Sequence, residues 1–287
     1  MPVRIITDSA SDITAAEVAR NGWPLEVLPL GITFGTSTYQ DGVDLSTRRF
    51  YELLIEGDDL PKTSQVTPFA FGEAIGRARA AGDEVVVIAV SSELSGTYES
   101  ALAAASDADG GVWVVDSRNV TVGERVLVEY ALGLVAAARP AREVASELER
   151  VRGDVCVVGL LDTLEYLRRG GRVPAAAAAV GQLLAIKPVV AVEDGKVVLL
   201  GRARGSRSGR NLLTQRVAHA GGIDFSRPLA LGYSGLDDTL LRKYVADSRA
   251  LWEGHVGEGE LPVCEVGPTI GTHVGPGAIA LAFFRKG

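Results

Sequence analysis

Residues 84–101, EVVVIAVSSELSGTYESA, decide the fold class of this chain. Glu84–Val90 is an almost continuous apolar run of strand length, which is typical of a parallel strand buried on both faces. Serines and a glycine follow, and Tyr98–Ser106 has the composition of a helix. The stretch therefore predicts a buried strand, a polar turn and a helix, which is the repeating pattern of an α/β fold.

The same alternation extends in both directions from this stretch. Strands are predicted over residues 3–7, 25–34, 112–115 and 155–160, and helices over residues 13–21, 48–56, 67–81, 125–138 and 142–152. Asp12 is the predicted N-cap of the first helix, which Gly22 ends. Strands and helices at this spacing predict βαβ units, so we expect a parallel sheet with helices on both faces.

The second half of the chain has a different pattern. Two apolar segments flank Asp194-Gly195, a dipeptide that favours a tight hairpin turn. Strands are predicted over residues 186–192, 196–200, 229–233 and 262–266, and helices over residues 164–169, 211–220 and 239–253. A hairpin together with helices predicts a mixed sheet. We therefore expect an N-terminal α/β domain over residues 1–160 and a C-terminal α/β domain over residues 161–287.

The composition excludes several classes of protein. The chain has 29 lysines and arginines against 36 aspartates and glutamates, and this net charge of −7 disfavours a nucleic-acid-binding protein. Its two cysteines, Cys156 and Cys264, form no CxxC pair, and three histidines provide no structural zinc site. We expect neither a metal nor a cofactor.

The sequence also bears on location. The first residues, MPVRIITDSASD, have neither the basic start nor the apolar core of a signal peptide. Ala175–Val192 is the longest weakly polar stretch, but Gln182, Lys187 and Pro188 interrupt it, so it is not predicted to span a membrane. We therefore expect a cytoplasmic protein without stable membrane insertion.

Six polar, glycine-bearing or hydroxyl-rich segments lie at predicted strand ends or in loops. They are TDSASD (7–12), YQDGVDL (39–45), KTSQVTP (62–68), SSELSGTYESA (91–101), LEYLRRGGRV (164–173) and GPTIGTHVGPG (267–277). In open α/β sheets, ligands bind outside the carboxyl ends of the strands. SSELSGTYESA places hydroxyls, a glycine and helix N–H groups at that edge, which suits a carboxylate or a phosphate.

Together these segments resemble the DegV family of bacterial fatty-acid-binding proteins. The resemblance also rests on DSRN (116–119) and IKP (186–188), and its motifs span residues 7–277 in the family's order. It implies a two-domain α/β fold with a lipid held between the domains. The N-terminal domain would have three layers around a parallel sheet, and the C-terminal domain would contain a mixed sheet.

The resemblance further implies a function. The protein would bind a palmitate-like or oleate-like long-chain fatty acid in an apolar tunnel, as the lipid-binding, non-catalytic subunit of a fatty acid kinase. A separate ATP-binding kinase subunit would phosphorylate the bound carboxylate to an acyl phosphate. A monomer would suffice for this presentation.

The same resemblance assigns roles to particular residues. By motif match, Thr63 and Ser95 would hydrogen-bond the carboxylate, and His273 would face it from the second domain. Arg172 would lie near the mouth of the tunnel, where it could meet phosphate or the kinase partner. Physical chemistry agrees with such a site, because hydroxyl and N–H donors offset the cost of burying a carboxylate. Gly96 would let the backbone approach the head group.

These residues also have plainer roles open to them. Ser95 could cap the helix that follows it, and Thr63 could be an ordinary turn hydroxyl. Arg172 could belong to a solvated helix end. The arginines of RARGSRSGR (202–210), among them Arg202 and Arg204, could be a docking patch for phosphate or the partner, or a solvated strand and loop. The glycines and prolines around His273 predict a loop.

Two other functions compete with lipid presentation. A stand-alone acyl hydrolase would use Ser95 and His273, although no G-x-S-x-G motif surrounds Ser95. A carrier of a small polar metabolite, like the ketone-binding subunit of dihydroxyacetone kinase, would need a short polar cavity. The chain is not expected to bind ATP itself, because it has no GxxxxGK[ST] loop.

Overall fold

The computed structural model describes residues 1–57, 60–173 and 186–286. The strands in these ranges are β1 (Val3–Asp8), β2 (Leu25–Leu28), β3 (Gly31–Phe34), β4 (Ser37–Gln40), β5 (Lys62–Ser64), β6 (Glu84–Ala89), β7 (Val112–Asp116), β8 (Val155–Leu160), β9 (Ile186–Glu193), β10 (Lys196–Arg204), β11 (Leu229–Tyr233), β12 (Val263–Glu265) and β13 (Ile279–Phe284). The α-helices are α1 (Ala15–Asn21), α2 (Thr47–Glu56), α3 (Pro68–Ala80), α4 (Thr97–Ser106), α5 (Val122–Ala136), α6 (Ala141–Val151), α7 (Glu165–Arg169), α8 (Gly205–His219), α9 (Thr239–Asp247) and α10 (Pro268–Val274).

A parallel sheet in the order β2-β1-β6-β7 forms the centre of the N-terminal half. The apolar run of β6 lies inside this sheet, and its side chains alternate between two cores. Val86 and Ile88 pack with residues of α5 and α6, whereas Val85 and Val87 pack with residues of α3 and α4. Both faces of the sheet are therefore covered by helices, as the continuous apolar run predicts.

A six-stranded mixed sheet, in the order β10-β9-β8-β13-β11-β12, forms the centre of the C-terminal half. Strand β8 lies inside it, antiparallel to both β9 and β13. The expectation that residues 155–160 extend the parallel sheet is therefore wrong, since an apolar run does not specify which strands will pair with it. The change from one sheet to the other falls between Asp116 and Val155, and the domain boundary at residue 160 stays a prediction.

Helix α5 lies between the two larger sheets and contacts β1 and β6 on one side and β8, β11 and β13 on the other. Its side chains share one apolar core with Val86 of the parallel sheet and with Val157 and Phe284 of the mixed sheet. Since one core includes residues from both sheets, burial of α5 stabilises both halves of the chain together.

A small antiparallel sheet, β4-β3-β5, completes the N-terminal half. The sequence predicts one strand over residues 25–34, but Pro29 and Leu30 divide it into β2 and β3. Pro29 has no N–H to donate to a ladder, and the N–H of Leu30 donates instead to Ser9 Oγ over 3.1 Å. The break releases β3 from the parallel sheet, so that it pairs with β5 and places Ile32 opposite Thr63.

Helix α1 begins two residues later than predicted. Its N-cap is Thr14, which forms a capping box with Glu17, and Gly22 ends it in the left-handed conformation. Asp12 is not the cap. It has a φ of 56°, and its carboxylate accepts from the N–H of Gly267 over 2.8 Å and from Thr121 Oγ1 over 2.5 Å. The local sequence around Asp12 does not show whether its carboxylate caps the next helix or binds a residue more than 200 positions away.

Glu124 of α5 is fully buried and faces β1. Burial, with the nearby Asp8 as a second cause, raises the pKa of the Glu124 carboxyl well above its ordinary value. Thr7 Oγ1 lies 2.9 Å from the carbonyl oxygen of Ile88 and 3.1 Å from Glu124 Oε1. Thr7 Oγ1 is the donor to both acceptors, and its bond to Glu124 opposes the rise in the pKa of Glu124 without cancelling it.

The stability of Glu124→Gln relative to wild type should increase as the pH rises. Burial favours the protonated form of Glu124 in the folded protein, while the unfolded chain ionises it above about pH 4.5. Wild type therefore loses stability relative to the variant by up to about 1.4 kcal/mol per pH unit. Urea unfolding at pH 4.5 to 8 measures the difference. The exposed Glu73→Gln is the control, and a difference between Glu124→Gln and wild type that does not grow with pH would contradict a neutral Glu124.

Candidate functional site

An apolar cavity of about 110 Å³ lies between the two larger sheets. The N-terminal half contributes Ala10, Leu30 and Val90 to its lining, and the mixed sheet contributes strands β8, β9 and β13. At its Gly159 position, a β-carbon would make ordinary contacts with Val190 and with the carbonyl oxygen of Ile279. Elements from both halves of the chain therefore line the cavity.

Four residues singled out from the sequence, Thr63, Ser95, Arg172 and His273, line this one cavity. Thr63 Oγ1 and His273 Nε2 are 3.0 Å apart and form a hydrogen bond. Arg172 Nε donates to the carbonyl oxygen of Leu94 over 3.0 Å, which fixes its side chain beside Ser95. Residues from β5, the turn after β6, α10 and the segment after α7 thus meet at one place.

The turn between β6 and α4 positions Ser95. The N–H groups of Leu94 and Ser95 both donate to the carbonyl oxygen of Ser91, which closes the turn. Ser95 Oγ lies 2.9 Å from Thr97 Oγ1 and accepts from the Thr97 N–H over 3.3 Å. Ser95 therefore bonds to the first helical N–H of α4 and lines the cavity at the same time.

His273 lies in a helix, so the predicted loop around it is wrong. Pro268 occupies the first turn of α10, and the helix ends at Gly275, which has a φ of 70°. The helix begins where carboxylates of the N-terminal half accept its N–H groups. Asp12 accepts from Gly267 over 2.8 Å, and Asp41 accepts from Thr269 N over 3.0 Å. Glycine and proline content alone does not reveal these distant acceptors.

The imidazole of His273 is neutral near pH 7. Burial, followed by the positive charge of Arg172, lowers the pKa of His273 from its usual 6.5 to about 4. Its Nδ1 atom is buried and has no hydrogen-bond partner among the residues that the structure describes. A β-carbon at Gly170 would overlap this ring, so the glycine permits the close approach.

Arg172 supplies the positive charge of the cluster. Besides Leu94, it donates to the carbonyl oxygen of Gly170 over 2.6 Å, and no carboxylate lies within 4 Å of it in residues 1–57, 60–173 and 186–286. Burial lowers the pKa of its guanidinium. Two hydroxyls, a neutral imidazole and one half-buried guanidinium can together receive a carboxylate at the edge of an apolar cavity.

The other predicted site residues lie outside this cluster. Gly96 precedes α4 next to Ser95, but it does not line the cavity, and a β-carbon there would overlap Gln65. Arg202 and Arg204 are exposed on β10, opposite Pro188 and Ile186, and do not line the cavity either. Their roles stay predictions. Residues 174–185, which include the first part of the weakly polar stretch, lie outside the described residues.

Ser95 and His273 do not form the pair that a hydrolase would need. Among the described residues, Ser95 Oγ bonds to Thr97 and His273 Nε2 bonds to Thr63, and no hydrogen bond joins Ser95 to His273. A serine nucleophile depends on a base within hydrogen-bond reach. The geometry therefore disfavours a Ser95–His273 hydrolase, and the apolar lining disfavours a carrier of a small polar metabolite. Within the described ranges, no helix is both long and apolar enough to cross a membrane.

Arg172→Gln should raise the pKa of His273 above about 4, because it removes the charge that opposes protonation. The shift should leave the pKa below 6.5, since burial is the larger cause. An NMR titration of the imidazole nitrogens measures this, with the His273 signal identified by its loss in His273→Gln. The matched control is Arg168→Gln, which removes an exposed arginine of α7 paired with Glu165. An unchanged titration in Arg172→Gln would contradict the electrostatic contact.

Comparison with known proteins adds independent information. A family model described as "Uncharacterised protein, DegV family" matches residues 2–286. A DegV domain-containing protein of Deinococcus radiodurans is 35% identical over 286 residues, which cover 98% of each chain.

Two solved structures are also similar. One is of a DegV family protein from Thermus thermophilus and concerns its fatty acid binding. It is 32% identical, covers 99% of this chain and 100% of its own, and superposes with a TM-score of 0.87. The other is of DegV, a fatty acid binding protein from Bacillus subtilis. It is 26% identical, covers 100% of both chains and has a TM-score of 0.81.

Proposed function

The chain belongs to the DegV family, and from this premise we propose that it binds a long-chain fatty acid in the apolar cavity. The observation that carries the proposal is the meeting of Thr63, Ser95, Arg172 and His273 at a cavity with an otherwise largely apolar lining. The Thermus and Bacillus proteins, which bind fatty acids, support it through their similarity over the whole chain.

The apolar lining accounts for affinity toward the tail. Each buried CH₂ group contributes about 0.8 kcal/mol, so a palmitate-like or oleate-like chain gains roughly 11 kcal/mol gross. The ordering of the chain and its association with the protein oppose this by several kcal/mol. A small polar ligand would gain little from such a lining, and for this reason we favour a long-chain acid.

The polar cluster accounts for the orientation of the head group. On the proposed function, the hydroxyls of Thr63 and Ser95 donate to the carboxylate, and His273 faces it from α10. Since His273 is neutral near pH 7, Arg172 is the cationic group of the cluster. An unpaired carboxylate buried at this point would cost several kcal/mol, so the donors decide which end of the lipid enters the cluster.

We further propose that the bound acid is presented to a separate ATP-dependent kinase subunit. In that reaction a carboxylate oxygen attacks the γ-phosphorus of ATP, ADP leaves, and an acyl phosphate forms. The chain would be a cytoplasmic, monomeric, non-catalytic subunit, with Arg172 near the reacting carboxylate. Arg202 and Arg204, exposed on β10, would contact the partner or its phosphate.

Native mass spectrometry of freshly purified protein, followed by solvent extraction, tests fatty-acid binding directly. We expect one adduct of fatty-acid mass that solvent releases. Protein without an adduct that also fails to take up added palmitate or oleate would exclude the proposal.

Trapping of acyl phosphate by hydroxylamine, with and without an added fatty acid kinase subunit, tests presentation. Hydroxamate formed without that subunit would exclude a non-catalytic role.

Removal of the hydroxyls should weaken fatty-acid binding. Thr63→Val and Ser95→Ala should each make the free energy of fatty-acid binding about 1–3 kcal/mol less favourable, because the carboxylate loses one hydrogen-bond donor. Titration with a fluorescent fatty acid measures the effect. Ser146→Ala, at an exposed position of α6, is the matched control and should bind as wild type does. Unchanged affinity in both site variants would refute the assigned head-group contacts.

Filling the cavity should block the tail without changing the polar cluster. A β-carbon at Gly159 meets only ordinary contacts, so Gly159→Ala should fold and bind normally. Gly159→Phe should extend a ring into the cavity and weaken the binding of a sixteen-carbon acid at least about tenfold, by displacing several buried CH₂ groups. Equal affinities of the two variants in the same titration would show that the tail lies elsewhere.

A further inference from the structure

A second cavity, of about 650 Å³, lies where the loop after β7, the end of α6, the β9–β10 hairpin and α8 come together. It shares Val157, Ala191 and Val192 with the lining of the apolar cavity, but five arginines also line it. A volume of this size is in the range of small-molecule sites, which is roughly 300–1,000 Å³.

Three arginines in its lining have no carboxylate partner for their guanidinium groups among the described residues. Arg118 donates to the carbonyl oxygen of Asp194 over 3.0 Å, Arg152 to that of Asp116 over 2.6 Å, and Arg216 to that of Leu200 over 3.0 Å. Within the part of the chain that the structure describes, none of the three guanidinium groups lies within 4 Å of a carboxylate oxygen. Each guanidinium has five N–H donors. Most of the N–H donors of these three side chains therefore have no acceptor among the described residues of the protein.

Two of these side chains also contain a buried donor without an acceptor. The Nε atoms of Arg118 and Arg216 are shielded from solvent and have no partner among the described residues. Buried donors are usually satisfied, and a charged group left without acceptors is costly. Arg285, which lines the same cavity, differs because it pairs with Asp154 over 2.9 Å. Pairing within the protein is therefore incomplete in this cavity.

The backbone holds the arginines in place. Arg118 has a φ of 50°, a conformation that non-glycine residues rarely adopt, and its N–H donates to Asp116 Oδ1 over 2.8 Å. Asn119 Nδ2 donates to the carbonyl oxygen of Arg152 over 3.3 Å. The guanidinium of Arg118 also links this loop to the β9–β10 turn. Two arginines from the N-terminal half and one from α8 are thus fixed around one volume.

We propose that this cavity binds a small molecule that carries a phosphate group, through the guanidinium groups of Arg118, Arg152 and Arg216. Guanidinium matches phosphate oxygens with pairs of parallel hydrogen bonds, and its charge is permanent. Three carboxylates, Glu149, Glu193 and Asp194, also belong to the lining. All three residues are exposed, so solvent and salt screen them more than they screen the half-buried arginines.

Isothermal titration calorimetry with inorganic phosphate, adenosine 5′-monophosphate and citrate tests the proposal. At least one phosphate compound should bind with a Kd of about 1 mM or below, and citrate should bind more weakly. If the monophosphate binds about tenfold tighter than inorganic phosphate, the ligand is a phosphorylated metabolite, and equal affinities identify free phosphate. Failure of both phosphate compounds to bind, or tighter binding of citrate, would overturn the proposal.

Variants locate the binding. Arg118→Gln and Arg216→Gln should each weaken phosphate binding about tenfold or more, whereas Arg142→Gln, at an exposed position of α6, should not. Arg118→Lys keeps the positive charge but loses the paired N–H donors of the guanidinium. It should therefore weaken phosphate binding while the protein still folds. Equal binding by wild type, Arg118→Lys and Arg216→Gln would place the ligand elsewhere.

Fatty-acid binding and phosphate binding can be scored separately. Ser95→Ala should leave the calorimetric titration with phosphate unchanged, because Ser95 does not line the second cavity. Arg118→Gln should bind fluorescent fatty acid as wild type does, because Arg118 does not line the apolar cavity. Loss of phosphate binding in Ser95→Ala would overturn the independence of the second site, whatever the result of the lipid titration.

Discussion

Asp12 and Asp41, from the N-terminal half, accept the N–H groups of Gly267 and Thr269, where the helix that carries His273 begins. That helix has seven residues, which is too short to be stable alone in water. Carboxylates at a helix start satisfy its free donors and interact favourably with its dipole. The place of His273 beside Thr63 therefore depends on acids that are more than 200 residues away in sequence.

Burial gives these acids an unusual environment. It raises the pKa of Asp12 to about 7 and also raises the pKa of Asp41, although both accept hydrogen bonds that oppose the shift. Arg125 of α5 stabilises the same region, because it donates to the backbone carbonyl of Asp12 over 3.1 Å and pairs with Glu17 over 2.5 Å. Helix α5 thus connects the two sheets through an apolar core on most of its length and through this polar network near its start.

The sequence is informative where one local pattern determines the structure. The apolar run of β6 is sufficient for a doubly covered strand. Thr63, Ser95, Arg172 and His273 are singled out by the resemblance of their motifs to a known family, and spacing alone does not bring them together. The sequence is uninformative where partners are distant. Val155–Leu160 reads equally well as a strand of either sheet, because central strands of both kinds are apolar.

The same limit applies to the lining of the cavity. Gly159 becomes part of it only because β8 lies between β9 and β13, and Leu30 because Pro29 ends β2. Neither fact is encoded in the spacing of the residues. The helix around His273 was missed for a related reason, since its glycines and prolines indicate a loop until the acids that accept its first N–H groups are known.

The two cavities use arginine in different ways, and a shared wall of Val157, Ala191 and Val192 belongs to both. In the apolar cavity one guanidinium, Arg172, stands beside uncharged donors. On the proposed function, the carboxylate is then held by hydrogen bonds from two hydroxyls and by a single guanidinium. On that proposal, most of the affinity comes from the tail, and the head group sets the orientation. On the proposed function, presentation to a partner benefits from this division, because the donors fix which end of the lipid faces the partner while the tail keeps the acid bound.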